Sequence, residues 1–246
     1  MIKRLISLMI VLAANLPLNG QVHDVRPSDD SYNTNFQFKQ IVVPAVLISM
    51  GTLGLTSTYQ EAVNLPVKNY MKEMRGNCYI HADDFIQYIP MASTMLLCLD
   101  KDKRDGWQEK VLLAATGSAV TWATVQSLKL LIGEKRPDSS RNNSFPSGHT
   151  ACAFLGAERV RLEYGGYWGA AAYTVAIATG FLRMYNERHW SNDVLAGAGI
   201  GILSAKVAYW LLPWEKRQLG KLSFLPYFAP DSDGSATAGF ALSYTF

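Results

Sequence analysis

Charge is scarce in this sequence. Asp, Glu, Lys and Arg make up 17% of the 246 residues, against 49% hydrophobic, well below the roughly 25% charged of an ordinary soluble domain. The net charge of +3 is too small to hold a polyanion, and no basic run carries interleaved aromatics, so nucleic acid is excluded as a partner. Cysteine is equally sparse. Cys78, Cys98 and Cys152 form an odd set without C-x-x-C spacing, which argues against a zinc site and a disulfide framework. A single bridge from Cys78 stays open in an oxidising compartment, but small apolar filler is the reading for all three. Internal repeats are absent, and strand-like alternation is confined to the C-terminal tail.

What is present is helix, in one domain with ample material for a core. The mean hydropathy of +0.03 stands between a membrane protein and a compact soluble bundle. Residues 1–20 open with Lys3-Arg4, run apolar through 5–12, then reach Ala13-Ala14 and Gly20. This is the layout of an export signal, too short to be a span of roughly 20 residues. Residues 21–40 read as a polar, exposed leader. Uncharged stretches at 41–59, 85–99 (with Pro90 inside), 111–132 and 167–182 read as helices. Helices are also expected over 147–164, stopped by Gly165-Gly166, and over 190–212, closed by Pro213. Residues 60–84 are mixed and polar, and 100–110 form a charged connector. The fold class is all-α, a multi-helix bundle over 41–215.

Residues 216–246 are different material. Around the turn signal of Pro230-Asp-Ser-Asp-Gly234 they read as a β-hairpin appendage without chemistry. One hairpin cannot close an outer-membrane barrel. Crossing numbers conflict with the export signal: spans at 41–59, 85–99 and 111–132 would return the loop after Lys129 to the cytoplasm. Glu158, Arg159, Arg161 and Glu163 also come within about four turns of the start of the helix after 147, too soon for a full crossing there. Membrane attachment is favoured over a soluble periplasmic bundle.

Three clusters between residues 129 and 193 carry the chemistry. Lys129 is followed by Arg136-Pro137, then comes Ser144-Phe145-Pro146-Ser147-Gly148-His149, then Arg183, His189 and Asp193. Lysine supplies a compact charge and the arginines supply planar forks, as the spread charge of a transferring phosphoryl group requires. Pro146-Ser147-Gly148-His149 reads as a loop entering a helix, with N–H groups aimed at an anion. His189 and Asp193, four apart, share one face of a helix start, so the carboxylate can hold one ring nitrogen and leave the other free. That makes a nucleophilic histidine, and His149 is then free to act as general acid.

This pattern resembles the type 2 phosphatidic acid phosphatase (PAP2) superfamily, which includes class A acid phosphatases, lipid phosphatases and vanadium haloperoxidases. The resemblance implies that His189 forms a phosphohistidine, Asp193 orients it and His149 protonates the leaving group. It implies that Lys129, Arg136, Ser147, Gly148 and Arg183 hold the phosphoryl group, without metal or cofactor. Leu182 departs from the Ser usual before the third-cluster Arg.

Each residue also has a bland reading. Lys129 could snorkel from a helix end, Arg183 could pair with Glu187 at i,i+4, and His81 with Asp83 and Asp84 could be a solvated turn rather than a metal site. Lys135 reads as solvated. A chance match of all three clusters in order is far less credible than any one. The function expected is a phosphatase of phosphorylated lipids: phosphatidylglycerol phosphate, phosphatidic acid, an isoprenyl diphosphate or lipid A phosphate. It would be exported and held in the inner membrane, its site facing the periplasm. The alternatives are a soluble periplasmic acid phosphatase, a vanadate-dependent haloperoxidase and a non-catalytic phospholipid-binding protein.

Overall fold

A computed structural model describes residues 34–96, 107–220, 222–230 and 236–244. The expected export signal, most of the leader, and the charged connector as far as Gly106 lie outside the described residues. The helices are α1 (Lys39–Leu53), α2 (Ser57–Tyr59), α3 (Leu65–Arg75), α4 (Asp83–Ile86), α5 (Ile89–Leu96), α6 (Trp107–Ile132), α7 (Gly148–Tyr164), α8 (Gly166–Tyr185) and α9 (Ser191–Leu219), with a π-turn at Gln60–Asn64. After them the backbone of Leu222–Pro230 (β1) runs antiparallel to Ala236–Tyr244 (β2), Leu222 opposite Tyr244.

Helix α9 is the centre. It is buried on nearly every side from Ser191 to Tyr209 and packs against α1, α6 and α7. Its sequence explains this: Ala196-Gly197-Ala198-Gly199 lets neighbouring backbones come close. A Cβ on Gly197 would lie 2.5 Å from Ser147 O, and one on Gly199 would lie 2.7 Å from Pro44 O. Apolar clusters fill the seams, with Leu113, Ala208, Tyr209 and Leu212 between α6 and α9, and Ala153, Ala157, Val160, Ala172 and Ala176 between α7 and α8.

Helix α6 buries a narrow stripe, Lys110, Leu113, Gly117, Thr121 and Val125, so it flanks the bundle. Its outer face is nonetheless apolar: Trp122, Leu130 and Leu131 are 68%, 86% and 81% exposed. A face of that kind belongs against lipid rather than water. Among the described residues α6 and α9 are long and apolar enough to cross a membrane, and the bent pair Lys39–Leu53 with Ser57–Arg75 can count as a third.

Several boundaries differ from expectation. The stretch 41–59 is not one span: α1 ends at Leu53 and the chain turns by 89° into Ser57–Arg75. Gly54 is pressed against Asn192, leaving no room for a side chain, and Thr56 caps the next helix through Tyr59 N. The polar stretch 60–84 is largely helical, because Asn64, Met71 and Arg75 are buried there. Pro213 does not end α9, which runs to Leu219; one lost hydrogen bond does not stop a helix fixed on three neighbours. The charges in the second half of α7 are paired, and the side chains of Glu158, Arg159 and Glu163 are buried while Arg161 reaches the surface. Glu158 accepts from Arg161, Tyr173 and Lys206, and Arg159 holds Glu163 at 2.7 Å. Inward, paired charges are the kind a membrane helix tolerates, which removes the sequence objection to embedding. Cys78 is exposed rather than packed as filler, and neither it nor Cys152 is bridged.

Candidate active site

The site forms where the ends of α6 and α8 meet the starts of α7 and α9. Lys129, in the last turn of α6, donates to the carbonyls of Asn143 (2.5 Å) and Ser144 (3.3 Å). These bonds tie the helix end to residues 133–147. That loop is anchored at several points: Ser144 N to Glu134 O at 2.8 Å, Arg136 N to Arg141 O at 3.0 Å, and Ser147 N to Asp193 O at 3.0 Å. Lys68 donates to Pro137 O and Trp190 Nε1 to Lys135 O. Ser147 caps α7, its Oγ accepting from Thr150 N. Gly148 then opens the helix, and a Cβ there would meet nothing nearer than Val125 Cγ1 at 3.5 Å. Protein packing therefore does not require glycine at this position.

The third cluster is built by the tight turn from α8 to α9. Arg183 O accepts both Arg188 N (2.9 Å) and His189 N (3.3 Å), and Glu187 takes a positive φ of 53°. Arg75 braces the turn by donating to Glu187 at 2.7 Å and to Tyr185 O at 3.2 Å. The Arg183–Glu187 pair, the bland alternative for Arg183, does not form. Arg183 donates instead to Asp83 Oδ2 at 2.5 Å, with Asp84 Oδ1 at 3.4 Å.

His189 precedes α9 rather than sharing a helix face with Asp193. Its Nδ1 stands 3.4 Å from Asp193 Oδ2, longer than a good N–H···O bond. Asp193 is the third residue of α9 and is wholly buried. Its Oδ2 accepts from Trp190 N (2.8 Å) and Ser144 Oγ (2.5 Å). The three cations share one field: Arg183 acts electrostatically on Arg136, Lys129, His149 and His189. Arg136 Nε, Arg183 Nε and His189 Nδ1 are buried with no hydrogen-bond partner in the protein. The unpaired guanidinium donors of Arg136 and Arg183 suit an oxyanion, while His189 Nδ1 faces Asp193.

Burial lowers the His189 pKa to about 4, with Arg183 and Lys129 adding to the effect and Asp193 opposing it. The ring is therefore neutral at ordinary pH. Burial and Arg183 also lower His149, opposed by Asp84, whose Oδ1 lies 3.1 Å from His149 Nε2. Asp83 and Asp84 do not form the solvated turn that the sequence suggests. Instead Asp83 holds Arg183, Asp84 faces both Arg183 and His149, and no cluster of three or more His, Cys, Asp or Glu fit for a metal occurs among the described residues. Nothing local in the sequence ties α4 to a histidine 65 residues on. Beside the site lies a cavity of about 430 Å³ lined by Leu55, Lys68, Glu134, Arg136 and Trp190, which can take the part of a ligand beyond its phosphate.

The PAP2 superfamily pattern matches residues 45–217. The chain is 36% identical over 154 residues to a lipid A 1-phosphatase of Porphyromonas gingivalis, 59% of this chain and 35% of that protein. It is 36% identical over 87 residues to the bacitracin transport permease protein BcrC of Bacillus licheniformis, 34% of this chain and 37% of that one. It thus spans about a third of the length of the curated relatives it matches. The crystal structure of a transmembrane PAP2 type phosphatidylglycerolphosphate phosphatase from Bacillus subtilis superposes with a TM-score of 0.53 at 17% identity, covering 74% of this chain and 98% of that one. That likeness is one of fold.

Proposed function

The chain belongs to the PAP2 superfamily, and from that premise we propose that it is a metal-independent phosphatase of phosphorylated lipids acting through a phosphohistidine. The observation that carries the reading is the buried His189, its Nδ1 3.4 Å from Asp193 and its ring in the field of Arg183 and Lys129. Its Nε2 attacks phosphorus while the bond from phosphorus to the leaving oxygen breaks. His149 gives that oxygen its proton. Water then attacks the phosphohistidine, His149 takes the proton back, and inorganic phosphate leaves with His189 restored. Lys129, Arg136 and Arg183 balance the equatorial oxygens, while the backbone N–H groups of Ser147, Gly148 and His149 approach from the start of α7. Asp84 lies against Arg183 and His149 in the free protein, so an incoming phosphate has to displace it from both.

The lipid assignment is supported by Leu130 and Leu131, exposed directly beside Lys129: a headgroup reaching the cations would keep its chains along this apolar face. The relative's name makes lipid A 1-phosphate the first substrate to try. Phosphatidylglycerol phosphate, phosphatidic acid and an isoprenyl diphosphate follow. A signal at residues 1–20 would set the site toward the periplasm, and the tail hairpin is proposed as an appendage without chemistry. The test is a panel of lipid and water-soluble phosphates on detergent-purified protein, with and without EDTA, in wild type and His189→Ala. We expect lipid phosphates to be preferred, EDTA to be harmless and the variant to be inactive. Unchanged hydrolysis by His189→Ala would sink the mechanism, and activity released by osmotic shock without detergent would favour the soluble acid phosphatase.

A further inference from the structure

Behind the candidate nucleophile, two buried carboxylate oxygens have no hydrogen-bond donor. Asp193 has two carboxylate oxygens in a fully buried position. Its Oδ2 faces Trp190 N–H, Ser144 Oγ–H and His189. Its Oδ1 has no conventional donor, and neither does Glu134 Oε2, also buried. The two carboxyl groups act on each other as near neighbours, and each has a buried oxygen without a partner. Ionised carboxylates only accept, so a bond between two of them requires a proton on one.

The proton's place follows from the surroundings. Asp193 already collects two donors and a histidine, all of which favour its charged form. Among the titratable groups, Glu134 faces Asp193 and, more weakly, the Lys129 ammonium, which is engaged by the Asn143 and Ser144 carbonyls. The Asn192 amide is a further polar neighbour, and its Nδ2 makes no hydrogen bond within the protein. Burial, with the negative charge of Asp193 next, pushes the Glu134 carboxyl up to about 9, in agreement with the two unpaired oxygens.

We propose that Glu134 is a positioning residue, a neutral carboxylic acid that donates its proton in a hydrogen bond to Asp193 Oδ1 and so fixes the carboxylate that orients His189. The role rests on the reading of His189 as nucleophile. It adds a fourth member to the arrangement, drawn from the first cluster, where sequence reading had taken only Lys129 and Arg136. Glu134 is held for this by its own backbone, whose carbonyl accepts Ser144 N at 2.8 Å, while the Ser144 hydroxyl reaches the other oxygen of Asp193. One loop therefore grips both sides of the same carboxylate.

The experiment is infrared difference spectroscopy on the detergent-solubilised full chain, titrated from neutral to alkaline pH, joined to single-turnover phosphorylation of three variants. A carbonyl band of a protonated carboxyl is expected at neutral pH in wild type, vanishing near pH 9 and missing from Glu134→Gln. Glu134→Ala leaves Asp193 Oδ1 without a donor and should slow phosphohistidine formation roughly 10- to 100-fold. Glu134→Gln, which keeps an N–H donor, should recover at least about 5-fold of that loss. A neutral-pH spectrum without the band, or a Gln variant as slow as the Ala variant, overturns the proposal. His189→Ala separates the two readings: if it still turns over, the nucleophile is wrong, while the band, which needs no turnover, still reports on Glu134.

Discussion

Asp84 is half exposed and sits 3.1 Å from His149 Nε2 and 3.4 Å from Arg183 Nη1, so one carboxylate touches both the proposed acid and a proposed phosphate ligand. Removing it has two opposed consequences. Asp84→Asn removes the weaker of the two carboxylates on Arg183, Asp83 staying in place, and because exposed pairs are weak the Ki of inorganic phosphate should fall only about two- to five-fold. The same change withdraws the charge that supports protonated His149, so the alkaline limb of kcat/KM should move to lower pH. An unmoved limb would separate Asp84 from the acid. The pair of histidines also sets the profile of the wild type. His189 must be neutral to attack, which holds above about pH 4. His149 must be protonated to donate, which is lost as pH rises through a value below 6.5. The rate with a poor leaving group should therefore peak in that acid window, and a plateau extending above neutral pH would contradict the assigned roles. At this scale Lys129, Arg136, His149, Arg183, His189 and Asp193 were legible as residue types at fixed spacing. Asp83, Asp84 and Glu134 were not, nor was the bond from Ser144 to Asp193, because their partners are distant in the chain and chemistry of that kind leaves no periodic trace.

The contact between α9 and the entrance of α7 decides whether the loop delivers its N–H groups correctly. A Cβ on Gly197 would lie 2.5 Å from Ser147 O and 3.3 Å from Thr150 Cβ, and both of those neighbours are buried. Gly197→Ala should therefore cost about 1–3 kcal/mol and lower Tm by several degrees, with activity falling alongside. Gly148→Ala is the contrasting case. With 3.5 Å to the nearest atom it should melt like wild type, yet weaken phosphate binding by crowding the approach to the helix start. Equal losses of Tm in the two variants would show that Gly148 serves packing rather than the ligand. The helices themselves were largely readable from uncharged runs. The break at Gly54 was not, since it depends on the side chain of Asn192 rather than on any local turn signal. Nor was the passage of α9 through Pro213, where packing outweighs a local penalty.

For the whole molecule, an outward apolar face and an inward set of charges belong to the same design. Glu158 is held by Lys206, Arg161 and Tyr173 inside the seam of α7, α8 and α9. Lys206→Met leaves Glu158 buried with one cation fewer and should destabilise the bundle by about 3 kcal/mol, read as a lower melting temperature in detergent with the site chemistry otherwise intact. A variant as stable as wild type would mean that the pair is not needed for the fold. The sequence by itself determined the class of helix, the three clusters and the family they resemble, because these depend on composition and on spacing along the chain. It could not decide which way the charges of α7 point: the same Glu158, Arg159, Arg161 and Glu163 look like a barrier to membrane insertion or a sealed interior network, depending on partners that only tertiary packing supplies. The tertiary structure alone brought α4 onto His149 and Arg183 and set Glu134 against Asp193. Burial and proximity created the unpaired oxygens and the shifted protons there, and neither quantity exists in a linear chain.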